Sequence, residues 1–289
     1  MKEIVKEKIA SLLSTDEDIL SVAQLGGMTN QNYLVKTSSN QYIVKFFGKG
    51  TDKLIDRQNE KFNLELLKDL KLDVENYLFD IEAGIKVNQY IENAETLNFN
   101  TIKTKFDKIA PILQTIHASG KELRGEFAPF AEIKKYESLI QGEIFYPNYE
   151  AVRKSVFSLK EELEQIGVDK KSCHIDLVPE NFIEGPDGHL YLIDWEYSSM
   201  NDPMWDLAAL FLESEFTSSE EEDFLSHYES DKTPVSREKI RIYKILQDII
   251  WSLWTIYKEE NGADFGDYGI SRYNRAVKEL ESEGDLNEN

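Results

Sequence analysis

Three polar residues in the second half of the chain have the types and spacing to do chemistry. Asp176 and Asn181 stand five apart in CHIDLVPENF (173–182), and Asp194 follows in LIDW. Between Asn181 and Asp194, NFIEGPDGHLYLIDW reads as two short strands around the turn PDG. A hairpin brings its ends together, so Asn181 and Asp194 are expected to become neighbours. An Asn and an Asp supply hard oxygen ligands of the kind Mg²⁺ takes when it also bridges substrate phosphates. Asp176, on the loop before the hairpin, is then available to accept a proton from an attacking hydroxyl. Positioning plus charge neutralisation is the logic of phosphoryl transfer. Each residue alone has a plainer explanation: Asp176 capping a turn, Asn181 bonding its own backbone, Asp194 ending a strand. Loop, hairpin and spacing occurring together favour the chemical reading.

The elements that must position these groups fall into two kinds. Residues 1–20 read as an amphipathic helix with Ile4, Val5, Ile9, Leu12 and Leu13 on one face. QNYLVKT (31–37) and QYIVKFF (41–47) read as two strands joined by a polar turn. A helix over about 54–70 follows, then the strand-like YLFDI and GIKVNQYI. From residue 95 onward the pattern turns helical. One helix runs through TIKTKFDKIAPILQTIHA, where Pro111 is expected to kink it or mark an irregular turn. Further helices are expected near 131–141, 150–166, 205–213 and 219–229, and the strongest over 237–260.

Composition bounds the function. The 289 residues carry 54 acidic and 33 basic side chains, a formal net charge of −21, with 41% hydrophobic and 11% aromatic residues. That is a folded chain without the basic patches that nucleic acid requires. The acidity serves solubility and attracts a cationic substrate, while a polyanionic cofactor would need metal ions to bind. No apolar run approaches a membrane span, and the start MKEIVKEKIA is too charged for a signal peptide. A lone Cys173 excludes an internal disulfide and a Cys-rich zinc site. The histidines at 117, 174, 189 and 227 lack metal-ligand spacing. A cytoplasmic location is expected.

CHIDLVPENF followed by LIDWEYSSMNDPMWDLA resembles the signature of the choline kinase and aminoglycoside phosphotransferase group, a branch of the protein-kinase-like fold. The resemblance implies an α+β, two-lobe fold. A small N-lobe (1–90) would hold an antiparallel sheet plus helix, and a large, mainly helical C-lobe (91–289) would carry catalysis and substrate. It makes Asp176 the catalytic base, Asn181 and Asp194 the metal ligands, and His174 a residue that holds the loop. LGGMTNQNYLVK (25–36) resembles the nucleotide loop, with Gly27, Thr29 and Asn30 at the phosphates. Adjacent glycines let backbone N–H groups approach a phosphate closely. Lys45, mid-strand in YIVKFF, would contact the phosphates, with Glu60 or, in competition, Glu65 as its ion-pair partner. Gln89, Tyr90 and Ile91 in NQYI would form the hinge that offers backbone groups to adenine. ATP and Mg²⁺ are the implied cofactors.

The substrate is read from aromatic residues. Trp251 and Trp254 in WSLWTIY are three apart, hence on one face of a helix. Core packing explains such a pair as readily as ligand binding does. A quaternary ammonium, however, has no N–H donor and must be held by ring faces and a nearby carboxylate. The two Trp resemble the choline-binding element of choline kinases. Tyr197 in DWEYSS, Glu213 in DLAALFLE and Tyr268 in DFGDYG match further positions of that site. The overall resemblance is to bacterial LicA-type choline kinases, which feed phosphocholine into cell-surface glycoconjugates. The alternatives are a kinase for ethanolamine, an aminoglycoside or another small alcohol, and a catalytically silent choline-binding protein.

Overall fold

Strand-forming residues dominate the first hundred positions and helix formers the rest, and the computed structural model, which describes residues 18–27 and 30–282, follows that division. The elements in chain order are β1 (Ile19–Gln24), β2 (Gln31–Thr37), β3 (Gln41–Phe46), α1 (Arg57–Leu67), β4 (Asn76–Asp80), β5 (Ile85–Gln89) and β6 (Glu95–Thr96). Then come α2 (Phe106–His117), α3 (Pro129–Leu139), α4 (Tyr149–Ile166), β7 (Lys171–Cys173), β8 (Phe182–Glu184), β9 (Leu190–Leu192) and β10 (Ser199–Asn201). The chain ends on α5 (Pro203–Glu213), α6 (Ser218–Tyr228), α7 (Arg237–Glu260) and α8 (Tyr268–Ser282). Most of the expected N-terminal helix lies outside the described residues. Its last two positions, Ile19 and Leu20, belong instead to β1, which pairs with β2.

The chain divides into two compact units, residues 1–96 with 182–196, and residues 97–181 with 197–289. The first unit thus extends past residue 90 and takes in the hairpin β8–β9. Its sheet is antiparallel in the order β1-β2-β3-β5-β4. Alternation along the strands turns Tyr33, Val35, Val44, Ile85 and Val87 into one buried cluster. Each such aliphatic side chain contributes about 1.5–3 kcal/mol. Because Val44 pairs with Val87 and Phe46 with Ile85, the intervening Lys45 stands directly opposite Lys86 on the other face of the sheet. Two like charges in register are destabilising unless neutralised. Helix α1, capped by Asp56 accepting from the N–H groups of Gln58 and Asn59, brings Glu60 to Lys86.

The second unit is built around α7, which packs against α3, α4, α5 and α8. From Ile249 to Tyr257 every residue of α7 is buried, so this stretch is surrounded rather than amphipathic. Pro111, where a kink or an irregular turn was expected, lies inside a helix that runs from Phe106 to His117. Proline removes one backbone donor there, but Ile109, Leu113 and Ile116 are completely buried and hold the turn in place. Helix α8 was not anticipated, although Tyr273, Ala276 and Leu280 make its buried face at helical spacing.

Candidate active site

In the first unit three of the predicted nucleotide residues, Asn30, Lys45 and Glu60, are buried and make ionic or charged hydrogen-bond contacts. Gly27 has φ 155°, and a Cβ there would stand 2.6 Å from the Asn30 carbonyl and 2.7 Å from Asn32 Nδ2, so only glycine fits. Asn32 donates to the Gly26 carbonyl at 2.9 Å, closing the loop onto its own strand. Thr29 lies outside the described residues. Asn30 is buried: its amide donates to Glu196 (2.7 Å), and its oxygen accepts from Arg57 (3.1 Å) and from the Gly48 N–H (3.3 Å). Arg57 also donates to Glu60 at 2.6 Å and Glu196 at 2.9 Å.

The expected pairing of Lys45 with Glu60 or Glu65 is not the one observed. Lys45 Nζ lies 2.6 Å from Asp194 Oδ1, while Glu60 takes Arg57 and Lys86, the latter at 3.1 Å. Glu65 is exposed on the outside of α1. The reason is the register of β3 with β5, which sets Lys86 beside Lys45 and gives Glu60 to the fully buried lysine. Burial disfavours the Lys45 ammonium, but the carboxylates of Asp194, Glu196 and Glu60 outweigh it and hold its pKa above the ordinary lysine range. Burial and Asp194 push Glu196 the other way, above the usual carboxylate range, against the pull of Lys45 and Arg57. Part-buried Asp73, which the sequence reading passed over, shares this field. Desolvation pushes its carboxyl up to about 7, against the pull of Lys86.

Asp194 itself sits at φ 66°, a left-handed conformation that non-glycine residues adopt at a cost. It follows β9, whose Leu192 pairs with Phe182 of β8, so the chain enters and leaves the hairpin side by side. At the expected hinge, the Gln89 N–H donates to the Glu75 carbonyl (2.8 Å). The Ile91 carbonyl accepts from Ala94, and Tyr90 is half-buried between them.

In the second unit the loop after β7 carries Asp176. Its shape is imposed by Asp206, a fully buried carboxylate on α5 that the sequence reading missed. Asp206 accepts the N–H groups of His174 and Ile175, both at 2.8 Å, and faces His117 Nε2 at 3.0 Å. Ile175 has φ 78°, a genuine outlier for a β-branched residue. Those two bonds, with Trp205 Nε1 donating to the Ile175 carbonyl at 3.0 Å, hold the strained turn. The signal in the sequence was a single Asp inside the apolar run PMWDLAALF. His174 is likewise buried, with its backbone in this anchor. Asn181 donates its amide N–H to the Asp176 carbonyl at 2.9 Å, a bond that does not use its amide oxygen. Carboxylate and amide oxygens are the donors Mg²⁺ takes, so Asp194 and Asn181 fit that ion in kind.

The predicted substrate residues are brought together in the same unit. Tyr197 meets Trp251 edge-on (ring centroids 5.7 Å apart), Trp251 meets Trp254 (6.5 Å), and Trp254 meets Phe265 (5.0 Å). Phe265 in turn lies 6.3 Å from Tyr268. Phe265 is the link that the sequence reading lacked, although it stands in the same DFGDYG segment as Tyr268. Burial raises the Tyr268 hydroxyl above its ordinary range. Arg272 opposes this, and Glu213 and Asp176 reinforce it, so Asp176 and the Tyr268 ring share one electrostatic neighbourhood. Glu213 is not a waiting carboxylate: Arg272 pairs with it.

The chain matches the choline/ethanolamine kinase family over residues 22–240. It belongs to that family. A crystal structure of the choline kinase LicA from Streptococcus pneumoniae is 78% identical, with a TM-score of 0.94, covering 98% of this chain and 99% of that one. A structure of LicA in complex with AMP gives 78% identity and a TM-score of 0.92, covering 98% of each chain. Protein LicA of Haemophilus influenzae is 32% identical over 271 residues, 90% of this chain and 79% of the relative. The chain is therefore a kinase with the protein-kinase-like fold, its small antiparallel sheet and its helical unit both as the sequence implied. Among the described residues no helix is long and apolar enough to cross a membrane.

Proposed function

We propose that this kinase transfers the γ-phosphate of ATP to the hydroxyl of choline, giving phosphocholine and ADP. The observation that carries the substrate is the run of rings from Tyr197 through Trp251, Trp254 and Phe265 to Tyr268, in the electrostatic reach of Asp176. Trimethylammonium spreads its charge over methyl groups and sheds water cheaply, and ring faces attract it with about 0.5–2 kcal/mol per contact. Primary ammonium wants hydrogen-bond acceptors, which the rings lack. Ethanolamine is the second reading, since the family includes kinases for it.

In this reading the glycine loop and Lys45 hold the phosphates, and the backbone of Gln89, Tyr90 and Ile91 borders adenine. Asp194 and Asn181 hold Mg²⁺, which supplies charge neutralisation to the phosphates when bound. Asp176 accepts the hydroxyl proton as the choline oxygen bonds to the γ-phosphorus and the bond to ADP breaks. Lys45 must exchange Asp194 for phosphate oxygens, and the surplus of carboxylates around it keeps it charged while it does so. A reaction that consumes ATP fits the cytoplasm, and its product fits a supply of phosphocholine for surface glycoconjugates. The test is ³¹P NMR of enzyme with ATP, Mg²⁺ and choline. Phosphocholine and ADP should appear together, and neither should form in excess EDTA. ATP consumption without phosphocholine would overturn the reading.

A further inference from the structure

The aromatic site contains a cation of its own. Arg272, 5% exposed, lies with its guanidinium 4.5 Å from the centre of the Tyr268 ring and covers one face of it. One nitrogen pairs with Glu213 and another lies 3.1 Å from Asp248. Asp248 does not depend on that contact, because Arg275 holds both its oxygens at 2.6 Å. The distinct work of Arg272 is therefore to occupy Glu213 and Tyr268. A planar guanidinium suits this, since it forks onto carboxylates and stacks on rings at the same time.

We infer that Arg272 is a specificity-determining residue, which favours a quaternary over a primary ammonium by occupying the Glu213 carboxylate that a primary ammonium would need as acceptor. The inference rests on the choline reading above and deepens it. A quaternary ammonium has no N–H, so it loses no hydrogen bond when the carboxylate is taken. A primary ammonium brings three donors, and each that is buried without an acceptor costs affinity. The neutral Arg272–Glu213 pair leaves ring faces as the attraction, and ring faces favour methylated nitrogen.

The experiment measures kcat and KM for choline and for ethanolamine, at saturating ATP and Mg²⁺, on the full chain. Wild type, Arg272→Gln and the double variant Glu213→Gln/Arg272→Gln are compared. Arg272→Gln is expected to lower the choline-to-ethanolamine ratio of kcat/KM by about tenfold or more, mainly through a lower KM for ethanolamine, with KM for ATP unmoved. The double variant removes the exposed acceptor and should return the ratio towards choline. An unchanged ratio in a folded, active Arg272→Gln enzyme overturns the inference, as does a double variant that behaves like the single one. If Arg272→Gln does not fold, Arg272→Lys takes its place. A single ammonium cannot fork across Glu213 and Asp248, so the ratio should still fall, by a smaller factor, and an unchanged ratio again overturns the inference. Wild-type enzyme that phosphorylates neither alcohol would overturn the choline reading itself, a result distinct from both.

Discussion

The two units each bury arginine among carboxylates, but with opposite consequences. In the first, Arg57 is shared by Glu60, Glu196 and Asn30, Glu60 also takes Lys86, and Lys45 pairs with Asp194. In the second, Asp248 has two arginines and Glu213 takes one of them, so the ionic groups close on themselves beside a line of rings. In the proposed reaction the first arrangement would exchange partners, Lys45 trading Asp194 for phosphate oxygens and Asp194 trading Lys45 for a divalent cation. In the second, Glu213 and Asp248 are already paired with arginine, and the line of rings beside them presents π faces. The proposed function would thus divide recognition by chemistry, ion exchange for the nucleotide and aromatic contact for the ammonium.

The largest expected effect breaks the exchange. Asp194→Ala should lower kcat by about 10³-fold or more, because it removes a carboxylate that would hold the divalent cation in the proposed reaction. Choline binding, read from the fluorescence of Trp251 and Trp254, should survive, since those rings belong to the other unit. Normal turnover in the variant would mean that the metal is held elsewhere. Asp176→Asn comes next. It keeps size and hydrogen bonding but cannot take the proton, so kcat should fall about 10²-fold or more with KM little changed. A rise in KM alone would make Asp176 a binding residue.

Stability separates the two networks further. Arg57→Met leaves Glu60 and Glu196 buried with fewer partners and should cost about 3–5 kcal/mol. Arg275→Met removes a guanidinium whose side chain is 45% exposed, while Arg272 remains on Asp248, and should cost less than about 1 kcal/mol. Equal losses in urea titrations would show that the contrast in shared against redundant pairing is false.

What could be foreseen from the sequence follows the range of the interactions. The loop 173–182 and its hairpin are local, so their turn residues and spacing suffice. The partner of Lys45 is not local. It depends on the β3–β5 register that sets Lys86 opposite it, and a lysine in KVNQ carries no mark of burial. Arg57 and Arg272 carry no local mark of the burial that the fold gives both. The aromatic pair on α7 was visible at its spacing of three, whereas its continuation through Phe265 required the turn before α8 to fold back. Pro111 shows a strong local signal in another setting, a proline held inside a helix whose neighbours Ile109 and Leu113 are completely buried.

A smaller effect tests the cation side. Trp254→Ala and Trp251→Ala should each raise KM for choline about tenfold, in keeping with roughly 0.5–2 kcal/mol per cation–π contact, and leave KM for ATP unmoved. Both side chains are at least nine-tenths buried, and truncating a core Trp costs about 3–5 kcal/mol, so thermal melts must accompany the kinetics. Leu at either position keeps apolar bulk without a ring and should show the same KM rise in a more stable protein. A wild-type KM in folded variants would make the two rings core residues.

The most direct measurement is ADP formation with choline, ethanolamine and kanamycin side by side, at saturating ATP and Mg²⁺. Ring faces with an occupied carboxylate should give choline the highest kcat/KM, ethanolamine a value about tenfold or more lower, and kanamycin no turnover above the ATPase background. Ethanolamine equal to or better than choline, or turnover of kanamycin, would contradict the account.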